Sequence, residues 1–482
     1  MRSATVRPRA ALFAYADAPM TVVAETPTPS PPLRLATLLS LAWPIVLSRA
    51  SQSVIGFCDT LMVSHLGKNA LAAAATGAMN TFAVIMLPMG TVFIVQSFAS
   101  QLGGKKDFVA ARRYAWYALI LSALVGIFAI ACIPLVPRLM RVLPFEPEVG
   151  RLMSHYMQIR LISVGAAVGT EALGAWYGGL GNTRLQMIAS VVAMVLNVVF
   201  CWVFIYGHLG APAMGVAGSA VAATIASWVG FSLLALAMWR GWGGVGRHSG
   251  KLGLKLSELT RMLRFGLPNG VNWFLEFGAF NVFLNLVMGH LGTLPIAALS
   301  VAMQINSVSF MPAFGMATAG AILVGQTVGR NQKDEVWPIV RLTTKVVMTW
   351  MLAVSLLYLT IPRTLVGWFA APDVDGQALL VMGATMLAIA AAWQVFDAVN
   401  MVFSETLRAT GDTVWCLWVR IGLAWFMFVP SSALAIFVFH GGVIAAMCCL
   451  VAWIALLAVA YGLRFRSGAW KRIDLIGETP VI

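Results

Sequence analysis

Apolar runs without a single charged side chain recur along this sequence, and they constrain the fold more than any other feature. Residues 277–329 and 421–463 contain no Asp, Glu, Lys or Arg. Each run is far longer than the roughly 20 residues that cross a bilayer as one helix. Over the whole chain 10% of residues are charged, whereas about 25% are charged in soluble domains. The sequence therefore excludes an ordinary soluble globular protein and indicates an integral membrane protein.

Charged and turn-forming residues divide the apolar sequence into twelve predicted membrane helices. Gly and Pro mark the breaks inside the two longest runs, at GHLGTLP (289–295) and HGG (440–442). The predicted fold class is therefore all-α, with twelve transmembrane helices. Their spans are about 39–63, 72–100, 113–137, 156–180, 186–206, 212–239, 264–289, 295–325, 342–363, 378–405, 414–438 and 442–463.

Basic residues are concentrated in the loops that follow even-numbered helices, and this asymmetry orients the chain. Lys105, Arg113, Lys251 and Lys333 lie in such loops, and the net charge is +14. Loops rich in Lys and Arg stay on the cytoplasmic side. We therefore expect both termini in the cytoplasm and the protein in the plasma (bacterial inner) membrane. The basic residues form no separate basic domain, so we expect no nucleic-acid partner.

The two halves of the predicted helical region resemble each other. The matching pairs are Pro44 with Pro268, Pro88 with Pro312, HLG (65–67) with HLG (290–292), QLGG (101–104) with QTVG (326–329), and LGNT (180–183) with TGDT (410–413). Because each half contains six helices, both halves run in the same direction. Parallel repeats of this kind occur in transporters that rock around a central site. The sequence thus predicts two parallel-repeat six-helix bundles around a central cleft.

The segments outside the helices divide the rest of the chain. Residues 1–35 contain TPTPSPP (26–32) and lack the apolar core of a signal peptide. We expect a disordered cytoplasmic tail there; a transit peptide and a true start at Met20 are the alternatives. The remaining predicted segments are an N-terminal bundle at 36–240, a cytoplasmic linker at 241–263, a C-terminal bundle at 264–465 and a cytoplasmic tail at 466–482.

Distinctive motifs follow one another over about residues 36–465. They are LAWP (41–44), FCDTLMVSHLG (57–67), the loops at Gln101 and Gln326, LGNTR (180–184), GVAGSA (215–220), FGLPNGVNWFLE (265–276) and LRATGDT (407–413). Their order and spacing resemble the multidrug and toxic compound extrusion (MATE) family. The resemblance implies a V-shaped central cleft and the export of organic, mostly cationic, drugs or metabolites, driven by inward flow of Na⁺ or H⁺. It implies no cofactor beyond that coupling ion.

Carboxylates inside the predicted helices mark candidate sites, since an ionised group at the bilayer centre costs roughly 3 kcal/mol. The scaffold is duplicated, but the acids are not repeated at equivalent positions. Two acids on helices 7 and 10 that share an interior would bind a cation or proton to relieve their repulsion. The alternative is a neutral acid or a helix–helix hydrogen bond. The acids are Asp59, Glu171, Glu276, Asp397 and Glu405.

The resemblance assigns roles to three of these acids. Glu276 and Asp397 match the helix 7 and helix 10 acids that bind the cation in the NorM-like branch, although Trp393 stands where that branch often has tyrosine. Asp59 matches the helix 1 acid that couples to protons in the other prokaryotic branch. Helix 5 has no second acid. We therefore predict that Na⁺ or H⁺ binds at Glu276 and Asp397, or at Asp59, and we expect no metal site beyond a Na⁺ site at the first two.

Aromatic and methionine side chains flank the presumed cleft and are predicted to contact the substrate. Organic cations bind aromatic faces beside carboxylates, and methionines repack around varied ligands. Lipid-facing Trp and ordinary helix packing are the alternatives. The predicted substrate-binding residues are Asp59, Trp273, Trp393, Met303, Phe310 and Gln394.

The other two acids are open to simpler interpretations. Glu405 lies three residues before Arg408 and is expected to pair with it near a helix end. Glu171 either pairs with Arg49 or faces the cleft.

Rival functions are a lipid-linked precursor flippase, which would need a strongly cationic cleft, and an integral membrane enzyme. The chain has no P-loop, HExxH or GxSxG motif, so we do not expect an enzyme. The expected partners are small organic molecules and the lipid bilayer, and the protein is expected to be a monomer.

Overall fold

A computed structural model describes residues 35–142, 146–243, 253–369 and 374–477. The tail predicted at 1–35 lies outside the described residues apart from Leu35. The described part of the chain is helical, and eleven of its helices are long and apolar enough to cross a membrane. The elements are α1 (Leu35–Ser64), α2 (Lys68–Gly104), α3 (Phe108–Val142), α4 (Pro147–Leu161 and Val164–Gly179), α5 (Thr183–Tyr206), α6 (Val216–Arg240), α7 (Leu256–Met288), α8 (Thr293–Gly329), α9 (Lys333–Thr360), α10 (Val374–Thr410), α11 (Thr413–Val438) and α12 (Val443–Arg466).

A break inside α4 explains why eleven single helices, rather than twelve, meet the length criterion. The amide of Ser163 donates to the carbonyl of Arg160 at 3.0 Å, which is an i−3 bond. The hydroxyl of Ser163 donates to the same carbonyl at 2.8 Å. Such bonds tighten the backbone and interrupt the α-helical ladder. The two consecutive pieces of α4 together provide the twelfth pass, so the predicted twelve-helix fold is confirmed.

Three helices begin eight or nine residues earlier than their apolar sequence predicts, and α9, which begins at Lys333 rather than 342, is one of them. Of the other two, α7 begins at Leu256 rather than 264, with Glu258 in its first turn. An acid there is favoured by the positive end of the helix dipole. The fourth pass begins at Pro147 rather than 156, and Pro is well suited to the first turn. Both early segments contain charged residues, which is why an analysis based on apolar runs missed them.

The two halves meet through α1 and α2 on one side and α7 and α8 on the other. Each half also lends a helix to its neighbour. Leu38, Ala42 and Ile45 of α1 belong to the hydrophobic core formed mainly by α8–α12. Met262 of α7 belongs to the core formed by α2–α6. The halves are therefore joined by packed helices and not only by the connecting segment.

The duplication seen in the sequence appears as paired contacts at one end of the molecule, which we call the basic end because the loops with Lys105 and Lys333 lie there. Gly104 packs so closely on the backbone of Gln326 that a β-carbon would clash, and Gly329 packs in the same way on Gln101. Gln101 and Gln326, like Gly104 and Gly329, are equivalent positions of the repeat. The halves thus touch at the basic end through a pseudo-twofold contact.

Side-chain hydrogen bonds follow the same symmetry. Nε2 of Gln101 donates to the carbonyl of Ala409 at 2.8 Å, and Nε2 of Gln326 donates to that of Gly179 at 3.4 Å. Gly179 and Ala409 are themselves equivalent positions of the repeat. Both bonds cross from one half to the other, so they hold the basic end together.

The segment after α12, predicted as a cytoplasmic tail, packs onto the basic end as far as it is described. Trp470 is buried and stacks on Phe465 with ring centroids 5.4 Å apart. Leu475 is buried in the core of the N-terminal half. This segment therefore contacts both halves at the basic end.

Candidate cation and substrate sites

Glu276 on α7 is paired with an arginine to which the sequence analysis gave no role. Nη1 of Arg420 on α11 forms an ion pair with Oε2 of Glu276. The Arg420 side chain is 8% exposed, whereas that of Glu276 is 39% exposed. The interior that the sequence predicted to hold two repelling carboxylates therefore also contains a buried positive charge.

Asp397 on α10 lies within electrostatic reach of both members of that pair. Its Oδ1 accepts a hydrogen bond of 3.3 Å from Nδ2 of Asn400, one turn away on the same helix. Among the described residues, no Lys or Arg lies within ion-pair distance of its carboxylate. The structure therefore brings Glu276 and Asp397 toward one interior, and it leaves Asp397 as the acid without a direct counter-ion.

Asp59 belongs to a separate cluster in the N-terminal half. The thiol of Cys201 on α5 donates to its Oδ1 at 3.0 Å. Asn197, one turn earlier on α5, is fully buried, and its Nδ2 has no hydrogen-bond partner. Arg160 of α4 lies within electrostatic reach of the carboxylate. Helix 5 therefore places a thiol and an amide, but no second acid, beside Asp59.

The two remaining acids form buried ion pairs. Glu405 pairs with Arg408 one turn away, which confirms the prediction. Glu171 takes the first of its two predicted alternatives, since its Oε1 and Oε2 accept from Arg49 at 2.6 and 3.2 Å. Each carboxylate is neutralised within its own half, so neither is left free to bind a cation in this conformation.

An aromatic cluster between the halves connects these two ion pairs. The guanidinium of Arg408 lies 4.2 Å from the ring centroid of Phe93 on α2, and that of Arg49 lies 5.8 Å from it. Trp273 and Phe314 also pack against this ring, at centroid distances of 5.1 and 6.4 Å. Arg and aromatic faces attract each other in such geometries. Phe93 is thus a shared contact for side chains of both halves, a role that its sequence position does not reveal.

The predicted substrate contacts are placed differently from one another. Trp273 lines a small cavity of about 40 Å³ together with Glu405 and Arg420. Phe310 is half-buried and stacks on Phe314 at 6.0 Å, and Met303 is half-buried against the C-terminal core.

Trp393 and Gln394 lie within the helix packing of the C-terminal half. Trp393 is 2% exposed. Gln394 is 1% exposed, and its Nε2 donates to Oδ1 of Asn306 on α8 at 2.8 Å. In this conformation the two residues are occupied by the core rather than facing an open surface.

A smaller cavity in the N-terminal half occupies the equivalent place. It is lined by Ile45, Arg49, Gly174, Ala175, Gly178 and Gln186, where the C-terminal cavity has Asn269, Trp273, Ser404, Glu405, Arg408 and Cys416 at the repeat-equivalent positions. The backbone framework is therefore duplicated, while one acid, Glu405, lines the C-terminal cavity and none lines the other. Arg420 of the Glu276–Arg420 pair also lines the C-terminal cavity.

Comparison with known proteins decides the family. The family model described as MatE matches residues 44–203 and 268–434, one stretch in each half. The chain belongs to this family. The MATE resemblance found in the sequence is thereby confirmed, and the chain is a multi-pass membrane protein of a transporter family.

Curated relatives of this MATE protein match over most of their length. The chain is 29% identical over 435 residues to a probable multidrug resistance protein NorM of Neisseria meningitidis serogroup B, covering 88% of this chain and 92% of the relative. It is 26% identical over 444 residues to a protein of the same description from Thermotoga maritima, covering 90% and 93%.

Solved structures share the fold. One is an outward-facing multidrug resistance MATE family transporter of the MOP superfamily, with a TM-score of 0.82 and 22% identity over 91% of this chain and 96% of that chain. Another is a MOP superfamily transporter from Pyrococcus furiosus, with a TM-score of 0.81, 22% identity and the same coverage. Both neighbours have the two-lobed architecture described above.

Proposed function

We propose that this MATE protein is a secondary antiporter that exports organic, mainly cationic, drugs or metabolites in exchange for Na⁺ or H⁺. The observation that carries the proposal is the placement of Asp397, which lies in the helical body beside Glu276 with no direct basic partner among the described residues. A carboxylate in a membrane interior is costly while it is charged. A bound cation or proton removes that cost. Ion binding therefore strongly stabilises the conformation that contains the occupied site.

Coupling follows from differential binding. An ion can drive the cycle only if it binds two conformations with different free energies. In the present conformation the halves touch at the basic end, through Gln101 and Gln326. Ion entry at Glu276 and Asp397, or at Asp59, would favour the conformation that releases the drug. The half-buried Trp273 and Phe310 offer aromatic faces for an organic cation.

The curated relatives support the substrate class, because they are described as multidrug resistance proteins. The concentration of Lys and Arg at the basic end supports a cytoplasmic location for that end and for both termini. We propose further that the protein works as a monomer in a bacterial inner membrane and takes its substrate from the cytoplasm.

Efflux of ethidium from proteoliposomes, with Na⁺ and pH gradients imposed separately, tests the proposal. Glu276→Gln and Asp397→Asn should each lower gradient-driven efflux at least tenfold while the protein still inserts. Asp334→Asn is the matched control, since that acid is 96% exposed and pairs with Lys471 at the basic end. Wild-type efflux rates in both site variants would remove the proposed ion site, and no gradient-driven efflux by the wild type would remove the antiport function.

A further inference from the structure

The cation that neutralises Glu276 is part of the protein. Arg420 is held on its other side as well, since its Nε donates to the hydroxyl of Tyr461 on α12 at 3.2 Å and its guanidinium lies 5.8 Å from the ring centroid of Tyr461. The residue is 7% exposed. A buried guanidinium with partners on two helices is fixed in place, unlike a surface side chain that samples solvent.

The backbone around the pair is fixed too. Nε1 of Trp425 on α11 donates at 3.2 Å to the carbonyl of Leu275, the neighbour of Glu276 on α7. This bond ties α11 to α7 one residue from the acid. The approach of Arg420 to Glu276 is therefore set by helix packing.

A count of charges shows what the site can still accept. Glu276 and Asp397 contribute two negative charges and Arg420 contributes one positive charge, so the net charge is −1. Helices α8, α9 and α12 also pack against α10. Within the described chain, these helices contribute no further charged group that acts on Asp397. The charged groups that act on it are Glu276 and Arg420. The site therefore lacks one positive charge, and Asp397 is the acid where that charge is missing.

We propose that Arg420 is a specificity-determining residue of this site: a tethered cation that holds Glu276 and leaves Asp397 as the carboxylate that takes the coupling ion. This inference rests on the antiport function proposed above. A sodium ion needs several oxygen ligands, as hard cations do, and Arg420 withholds those of Glu276. A proton needs one oxygen, which Asp397 supplies. Arg420 thus selects for the proton over sodium at the C-terminal half.

The decisive experiment compares Glu276→Gln with the double variant Glu276→Gln/Arg420→Met in the proton-driven efflux assay. In the single variant the positive charge of Arg420 is no longer balanced by Glu276 and offsets the charge of Asp397 instead, so coupled efflux is lost. In the double variant Asp397 again carries the net charge of −1, and coupled efflux should rise at least tenfold above the single variant. Equal loss in both variants would overturn the proposal and show that Glu276 itself must bind the ion.

Sodium binding provides a second measurement that does not depend on transport. Radioactive ²²Na⁺ binding to purified Arg420→Gln should be at least tenfold tighter than binding to the wild type, because two free acids then face one interior. Arg420→Lys keeps the positive charge and should bind as weakly as the wild type. Arg464→Gln is the matched control, since Arg464 lies in the same half and pairs with Asp412 instead of Glu276. Wild-type affinity in a folded Arg420→Gln protein would overturn the inference.

The two levels fail in different ways. If the wild type shows no cation-driven efflux, the antiport function itself is wrong. If the wild type transports and Asp397→Asn retains full coupling, the function stands and the role given to Asp397 and Arg420 is wrong.

Discussion

Removing the carboxylate of Glu171 should be among the most destabilising single changes in the N-terminal half. Its pair with Arg49 has two hydrogen bonds, of 2.6 and 3.2 Å, and the two side chains are 3% and 10% exposed. Nε of Arg49 already lacks a partner. Glu171→Gln would leave a buried guanidinium without a counter-ion, and breaking a buried pair from one side costs about 3–5 kcal/mol.

A second two-bond Arg–Glu pair in the same protein provides the control. Arg113 donates to Glu258 at 2.7 and 2.8 Å, so its geometry is equally good. Its side chains, however, are 20% and 19% exposed. Water reaches this half-buried pair and screens it, so the pair contributes less than a buried one, and fully exposed pairs contribute about 1 kcal/mol or less. Glu258→Gln should therefore lower the free energy of unfolding far less than Glu171→Gln does.

Denaturant unfolding in detergent micelles, followed by tryptophan fluorescence, gives the free energy of unfolding for each variant. The double variant Arg49→Met/Glu171→Leu should recover most of the loss, because replacing a whole buried pair by apolar side chains is often close to neutral. If Glu171→Gln costs no more than Glu258→Gln, burial does not set the strength of this pair and the reasoning fails. The reasoning would also fail if the double variant lost as much free energy of unfolding as the two single substitutions together.

Two further predictions concern the contact between the halves at the basic end. Gly104→Ala should lower efflux at least tenfold, because its β-carbon would meet the backbone of Gln326. Gly462→Ala is the control and should transport normally, because Gly462 has open space around it. Equal efflux rates in the two variants would show that the closed contact is not used in the transport cycle. Gln101→Ala should favour the open state by about 1 kcal/mol, roughly fivefold in population, through loss of a hydrogen bond. Distances between spin labels on the two halves measure that shift, which should be smaller in Gln326→Ala, whose bond is longer; the opposite order would refute it.

Much of the architecture could be predicted from the chain alone because membrane insertion imposes a simple rule. Each membrane pass needs a long apolar segment, and such segments can be identified directly from the sequence. The duplication could be identified as well, because proline, glycine and turn motifs recur at nearly constant spacing. The same rule failed at Leu256 and Pro147, where the first turns of α7 and α4 are polar and lie outside the apolar segments.

The candidate site divides in the same way. The pairing of Glu405 with Arg408 was predictable, because residues three apart on a helix are neighbours. The pairing of Glu276 with Arg420 was not, since these residues belong to α7 and α11 and lie far apart in the chain. Nothing in a sequence states which faces of two separate helices meet.

The sequence by itself thus determined that the chain crosses the membrane twelve times in two related halves, and which acids are placed inside. Only the tertiary structure decided that Glu171 and Glu276 are neutralised by arginines on other helices, whereas Asp59 and Asp397 have no arginine or lysine partner among the described residues. The physical reason is that hydropathy depends on local composition, whereas charge compensation acts over a few ångströms between side chains that packing alone brings together.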